Sequence, residues 1–137
     1  MVSIIMGLKG SGKTKELVGL VCKAVIEGNG DVVVIEKERK LTYDIPYQAR
    51  LIDAGSYGIG SYELFKGFLS GLHAGNYDIT HVFIDNFYGL VNDRSEEALV
   101  DFVAWLDAFA KRENIDFVIS MSSDRNKCPE AVRQYLC

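Results

Sequence analysis

The chain has 137 residues, of which 48% are hydrophobic and 25% are charged, and its formal net charge is −4. This size and composition predict a single globular domain, residues 1–137, that can bury a core without disulfide bonds or a structural metal. The acidic balance argues against broad nucleic-acid binding, and no segment approaches the roughly 20 apolar residues that a membrane-spanning helix needs.

The cysteines and the N-terminal residues predict a cytoplasmic protein. Cys22, Cys128 and Cys137 are an odd number without a CxxC pair, so neither a zinc site nor a disulfide framework is expected. The first apolar run is interrupted at Gly7, which is too early for a signal peptide. We therefore expect free thiols in a reducing compartment.

The first third of the chain alternates apolar runs with a helical pattern. Residues 2–6 are apolar and rich in β-branched side chains, which predicts a buried strand. Lys13–Glu27 has apolar residues at helical spacing before a stop at Gly28. Residues 31–35 form a second apolar run and predict a second strand. The polar segment 36–47 has no clean period, so we expect a loop.

The middle of the chain continues this alternation. Residues 49–53 are predicted to form a short edge strand, and Ser61 is predicted to cap a helix that runs to about residue 74. The side chains expected to face the core from this helix are Leu64, Phe65, Phe68, Leu69 and Leu72. Residues 81–85 are a further apolar strand that ends in Asp85.

In the last third, Asp93 and Glu96 resemble a capping box in front of a long helix, which is expected to end at Asn114. The face of this helix expected to be buried contains Leu99, Phe102, Val103, Leu106, Phe109 and Ala110. Residues 116–121 are the last predicted strand, and Pro129 suits the first turn of a short final helix to residue 136.

Strands that alternate with helices predict an α/β three-layer sandwich with a mainly parallel sheet of four or five strands. Ligands of such sheets bind at the carboxyl ends of the strands. The strand at residues 2–6 is expected near an open edge, which apolar strands rarely tolerate. We expect the last helix, or a second subunit in a homodimer or homo-oligomer, to cover it.

The segment GLKGSGKT lies between the first predicted strand and the first predicted helix, and it matches G-x-x-x-x-G-K-[ST] in full. Its glycines let backbone N–H groups turn towards phosphate oxygens, and the helix N-terminus adds a positive dipole end. The alternative is a glycine-rich turn that matches this pattern by chance, but such a turn need not lie between a strand and a helix. The predicted nucleotide-binding residues are Gly7, Leu8, Lys9, Gly10, Ser11, Gly12, Lys13, Thr14 and Lys15.

Three of the side chains have predicted chemical roles. Lys13 is expected to reach the β- and γ-phosphates and to act in catalysis, and the Thr14 hydroxyl to help hold Mg²⁺. Asp85, at the tip of an apolar strand, is expected to be the second Mg²⁺ residue. The alternative for Asp85 is a residue that only starts a turn.

These motifs resemble the Walker A and Walker B motifs of P-loop NTPases of the RecA-like class, in which a strand–helix unit lies between the two motif strands. Residues 31–35 and the helix after Ser61 supply that unit. Within the class, GLKGSGKTKEL and the later DNFY resemble the cytosolic thymidine kinase family. The resemblance in the order of elements covers nearly the whole chain, while the residue matches are confined to the motifs.

Two departures separate the sequence from the thymidine kinases. Their zinc-bearing, cysteine-rich extension has no counterpart here, so we expect a domain without it. Their Walker B aspartate is followed by a glutamate, whereas Asp85 is followed by Asn86. An amide cannot take a proton from an attacking hydroxyl group, which argues against thymidine kinase activity.

The resemblance to RecA-like ATPases implies two further candidates. The water-activating glutamate of such enzymes often follows the second strand, where Glu36 and Glu38 lie, so Glu36 is a candidate catalytic base. The alternative is a solvated charged loop, because residues 36–40 alternate in charge. In proteins of this class, the last strand lies beside the strand that precedes the Walker A motif. One of Ser120, Ser122 and Ser123 could therefore sense the γ-phosphate, or all three could be turn residues.

The motifs together predict a protein that binds ATP or another nucleoside triphosphate with Mg²⁺, with weak NTPase activity and a regulatory or conformational role. Two alternatives stay open. One is a small-molecule, nucleoside-type kinase with Glu36 or Glu38 as its base. The other is a non-catalytic module that binds a protein partner through the loop at residues 36–60.

Overall fold

The computed structural model describes residues 1–38 and 40–137. Its strands are β1 (Val2–Gly7), β2 (Asp31–Glu36), β3 (Arg50–Asp53), β4 (Ile79–Ile84) and β5 (Asp116–Ser122). Its α-helices are α1 (Lys13–Glu27), α2 (Tyr62–Gly75), α3 (Phe87–Leu90), α4 (Glu96–Glu113) and α5 (Glu130–Arg133). Two short 3₁₀ segments, Ala54–Tyr57 and Arg125–Lys127, complete the regular structure; neither they nor α3 were expected from the sequence.

All five strands are parallel and form one sheet in the order β1-β5-β4-β2-β3. Helix α1 packs on one face of the sheet, and α2, α4 and α5 pack on the other. The predicted α/β three-layer sandwich is thereby confirmed. The last strand, β5, pairs with β1, as the resemblance implied.

The topology brings the carboxyl ends of β1 and β4 to one edge of the sheet. The connection that leaves β1 crosses one face to reach β2, whereas the connection that leaves β4 crosses the other face to reach β5. Strand ends whose connections diverge in this way flank a crevice, which is the general ligand position in open parallel sheets. The fold therefore places residues 7–14 and Asp85 at the same crevice.

The two longest helices follow their sequence signals closely. Helix α1 has the predicted bounds, and Gly28 ends it in a left-handed conformation with φ 65° while its N–H donates to Ala24 O. All six residues predicted for the inner face of α4 are buried. Asn114 ends this helix, as predicted, with φ 54°.

The beginnings of α2 and α4 differ in detail from the sequence prediction. Leu64 was predicted to face the core but is 59% exposed, and Tyr62 is buried in its place. The buried stripe of α2 runs through Tyr62, Phe65 and Leu69, so Leu64, about 100° away from Phe65, points outwards. The cap of α4 is Ser95, whose Oγ accepts from Ala98 N, rather than Asp93, whose Oδ1 accepts from Ser95 N.

The edge of β1 is partly covered by the residues that follow α5. Ile4 N donates to Tyr135 O at 2.8 Å, and Cys137 N donates to Ile4 O at 2.9 Å. Arg125 continues this contact, with Nη1 donating to Met6 O and Nη2 to Cys137 O, both at 3.2 Å. The final helix ends at Arg133 rather than at residue 136, because the last residues instead pair with β1. The expected homodimer stays a prediction.

Among the helices of residues 1–38 and 40–137, none combines the length and the apolar character needed to cross a membrane.

Candidate functional site

A cavity of about 630 Å³ opens at the carboxyl ends of the strands. One part of its lining consists of predicted nucleotide-binding residues, namely Lys9, Gly10, Gly12, Lys13, Thr14 and Lys15. The rest of the described lining consists of Lys40, Leu41, Asp85, Asn86, Ser120 and Ser122. The remaining predicted residues, Gly7, Leu8 and Ser11, shape the loop beside the cavity.

The backbone of residues 7–14 explains why glycine stands at three positions. Gly10 and Gly12 have φ values of 86° and 85°, a left-handed conformation that strains other residues. A Cβ on Gly7 would lie 2.5 Å from Ser11 Oγ, so a side chain there would require the Ser11 side chain to move. Ser11 N donates to Leu8 O at 3.1 Å and closes the turn. The loop is thus a tight backbone turn directly in front of α1.

Lys13 is the first residue of α1 and folds back over this turn. Its Nζ donates to Leu8 O at 3.0 Å. Among the described residues it forms no ion pair with a carboxylate. The ammonium group is therefore held at the cavity by one exposed hydrogen bond, and its charge is open to an anionic ligand.

Thr14 and Asp85, the predicted Mg²⁺ pair, are in contact although 71 residues separate them in sequence. Thr14 Oγ1 lies 3.3 Å from Oδ1 and 3.4 Å from Oδ2 of Asp85. Asp85 directly follows β4 and is 9% exposed. Within the described part of the chain it has hydroxyl partners but no ion pair, and a carboxylate buried in this way is stabilised by a nearby cation.

Ser120 links the end of β5 to the corner that follows β4. Its Oγ donates to Asp85 Oδ1 at 2.6 Å and accepts from Asn86 N at 2.8 Å. Asn86 itself adopts φ 50° and ψ 62°, the left-handed region that few residues other than glycine occupy. Ser122 also lines the cavity, whereas Ser123 N donates to Gly7 O. Of the three candidate serines, Ser120 and Ser122 thus face the site.

Ser120→Ala is expected to lower the free energy of unfolding by about 1–3 kcal/mol, because it removes both hydrogen bonds at a side chain that is 1% exposed. Urea denaturation measures this loss. Ser122→Ala is the matched control on the same strand and should change stability by less than about 0.5 kcal/mol. Equal losses of stability in the two variants would show that the two Ser120 hydrogen bonds do not contribute measurably to the free energy of unfolding.

Glu36, the candidate base, is buried at the end of β2 with 4% exposure. Its Oε1 accepts from Leu41 N at 3.2 Å, and with Asp85 and Asn86 it lines a small cavity of about 60 Å³. Burial raises the pKa of the Glu36 carboxyl group above its usual value. The alternative interpretation of Glu36 as a solvated charge is wrong. It fits Glu38, which makes an exposed ion pair with Lys40.

Sequence reasoning missed Lys40 and Leu41 as parts of the site, because the segment that contains them was predicted only as a polar loop. Leu41, Ile45 and Ala49 are buried against the core cluster of α1. Their spacing of four residues within a charged segment is a signal that could have revealed a packed loop. We refer to residues 37–49 as the β2–β3 loop, of which all but residue 39 are described.

Comparison of the sequence with models of known protein families and with curated proteins finds no match. Four lysines (Lys9, Lys13, Lys15 and Lys40) and a single carboxylate (Asp85) stand in the described lining. Such an excess of positive charge favours a ligand with several negative charges.

Proposed function

We propose that this chain binds ATP or another nucleoside triphosphate with Mg²⁺ in the 630 Å³ cavity and hydrolyses it slowly, in a regulatory or conformational role. The observation that carries the proposal is the convergence of Lys13, Thr14 and Asp85 beside a tight glycine turn at a helix N-terminus. Each of these groups suits a different part of a metal-bound triphosphate.

The phosphate groups would be held by the turn and by the lysines. In the turn, glycines at φ values of 86° and 85° allow the backbone to approach an anion closely. Helix α1 has 15 residues and begins at Lys13, so its positive dipole end faces the same place. The ammonium group of Lys13 then needs only to leave Leu8 O to meet a phosphate oxygen.

The hydroxyl group of Thr14 and the carboxylate of Asp85 fit a magnesium ion. Mg²⁺ prefers oxygen ligands and is commonly bound through one or two carboxylates together with substrate phosphates. Thr14 and Asp85 supply such oxygens 3.3 Å apart, and Ser120 Oγ orients the Asp85 carboxylate by donating a hydrogen bond to Oδ1. A magnesium ion held by these residues would offset negative charge on the triphosphate.

Slow hydrolysis follows from the groups beside Asp85. Asn86 offers an amide, which cannot accept a proton. Glu36 offers a carboxylate of raised pKa in the adjoining small cavity, but Leu41 N already engages Oε1. Positioning and charge stabilisation supply most of the catalysis in phosphoryl transfer, so this arrangement supports weak turnover without an ideal base.

A thermal-shift panel of ATP, GTP and TTP, each with Mg²⁺ and with EDTA, tests the proposal. At a ligand concentration 100 times the Kd we expect a gain of about 2.7 kcal/mol with Mg²⁺ and a smaller gain with EDTA. The absence of any shift at millimolar nucleotide would overturn the proposal. Release of phosphate by the protein alone would support hydrolysis, whereas transfer only after a nucleoside is added would indicate a kinase.

A further inference from the structure

We propose that Lys40 contacts the terminal phosphate and makes the site prefer a triphosphate over a diphosphate, with Glu36 holding the β2–β3 loop that carries Lys40. This inference rests on the proposed function and assigns a specificity-determining residue within the same site. It follows from the position of Lys40, from the anchoring of its loop and from the weakness of its present ion pair.

Lys40 stands where the two cavities meet. It lines the 630 Å³ cavity together with Lys13 and Thr14, and it lines the 60 Å³ cavity together with Asp85 and Asn86. Of the four lysines that line the larger cavity in the described residues, Lys40 is the one that also lines the smaller cavity. Thr14 and Asp85 would hold the metal ion, which would offset negative charge on the triphosphate. Lys40 is therefore placed to contact a phosphate that extends past Asp85 from the glycine turn.

The backbone next to Lys40 is anchored on both sides of Leu41. Leu41 N donates to Glu36 Oε1 at 3.2 Å, and Leu41 O accepts from Asp44 N and Ile45 N at 3.0 and 3.1 Å. The Leu41 side chain is 5% exposed and packs in the same cluster as Leu17 of α1. The backbone at Lys40 is therefore anchored, while its side chain is 77% exposed.

The ammonium group of Lys40 can be recruited at low cost. Its ion pair with Glu38, at 3.3 Å, joins side chains that are 77% and 60% exposed, and such exposed pairs contribute little. Arg125, a candidate for the same role from the end of β5, already donates to Met6 O and Cys137 O. Lys40 thus contributes a positive charge to the site from a segment other than residues 7–15.

Glu36 acts through Lys40 in this arrangement. Its carboxylate satisfies the N–H of the residue that follows Lys40 and so sets where the lysine stem leaves the loop. A glutamine at this position keeps an acceptor oxygen, whereas an alanine removes it. The two substitutions therefore separate a positioning role of Glu36 from a role as a proton acceptor.

Isothermal titration of MgATP and MgADP into the wild type and Lys40→Ala tests the proposal. Loss of a charge-assisted contact to the terminal phosphate should weaken MgATP binding about 10-fold or more and leave MgADP within about twofold. Lys23→Ala is the matched control, since it removes one positive charge from an exposed position on α1 that does not line the 630 Å³ cavity. Its ATP-to-ADP preference should equal that of the wild type.

Several results would overturn the assignment. Equal losses for both nucleotides in Lys40→Ala would indicate a general charge effect, and no loss would exclude the contact. Glu36→Gln should keep the preference for MgATP, Glu36→Ala should lose much of it, and Lys40→Arg should keep most of it. A preference lost in Glu36→Gln, or kept in full in Glu36→Ala, would contradict the positioning role. A wild type that binds neither nucleotide would instead refute the proposed function itself.

Discussion

Lys13→Ala is expected to abolish the stabilisation of the protein by MgATP. At 100 times the Kd this stabilisation amounts to about 2.7 kcal/mol in the wild type. The loss is expected because Lys13 brings its charge to the cavity from the first position of α1. Thermal unfolding with and without MgATP measures it.

The same substitution should leave the ligand-free protein almost unchanged. The described hydrogen bond of the Lys13 side chain is the exposed contact to Leu8 O, and alanine is a good helix residue. We expect the free energy of unfolding to stay within about 0.5 kcal/mol of the wild type. The control Lys23→Ala keeps the full ligand shift. A normal MgATP shift in Lys13→Ala would mean that phosphates bind elsewhere.

Phe102→Ala is expected to cost about 3–5 kcal/mol of stability, the largest effect on folding that we predict. Phe102 is fully buried in α4, and its ring centroid lies 5.2 Å from that of Phe87, 5.4 Å from Tyr62 and 5.8 Å from Phe65. Removal of the ring leaves a cavity among rings that α2, α3 and α4 all contribute. Urea denaturation monitored by circular dichroism measures the loss.

Leu64→Ala provides the control for this prediction, because Leu64 is a large apolar residue of α2 that is 59% exposed. Its truncation should cost less than about 1 kcal/mol. Comparable losses in Phe102→Ala and Leu64→Ala would show that the aromatic cluster is not the centre of the core. Because Phe87 follows Asn86 directly, the Phe102 variant should also bind MgATP more weakly than Leu64→Ala.

The parts of the fold that could be predicted are those whose signal is local. The bounds of α1 follow from its apolar spacing and from Gly28, and the inner face of α4 follows from a period sustained over 18 residues. The glycine turn was recognisable because its conformation depends on the glycines themselves. Thr14 and Asp85 were expected at the same site because parallel strands end at one edge of the sheet; their direct contact was not predicted.

The parts that could not be predicted depend on partners far away in the sequence. The segment after Arg133 pairs with Ile4, more than 130 residues earlier in the chain, so no local pattern marks it as a partner of β1. The inward position of Tyr62 depends on how α2 lies on the aromatic cluster. Glu36 is buried because the chain brings Leu41 back to its carboxylate, although the charges of this segment indicate solvent exposure.

The left-handed backbone of Asn86 limits which residues this position accepts. Asparagine tolerates such a conformation, whereas most residues with longer side chains lose roughly 1–2 kcal/mol in it. Gly89 is constrained by the same residue, because a Cβ on Gly89 would lie 2.7 Å from Asn86 Nδ2. A glutamate in place of Asn86 would incur the cost of the left-handed backbone, so a single substitution does not readily convert this site into one with two adjacent acidic residues.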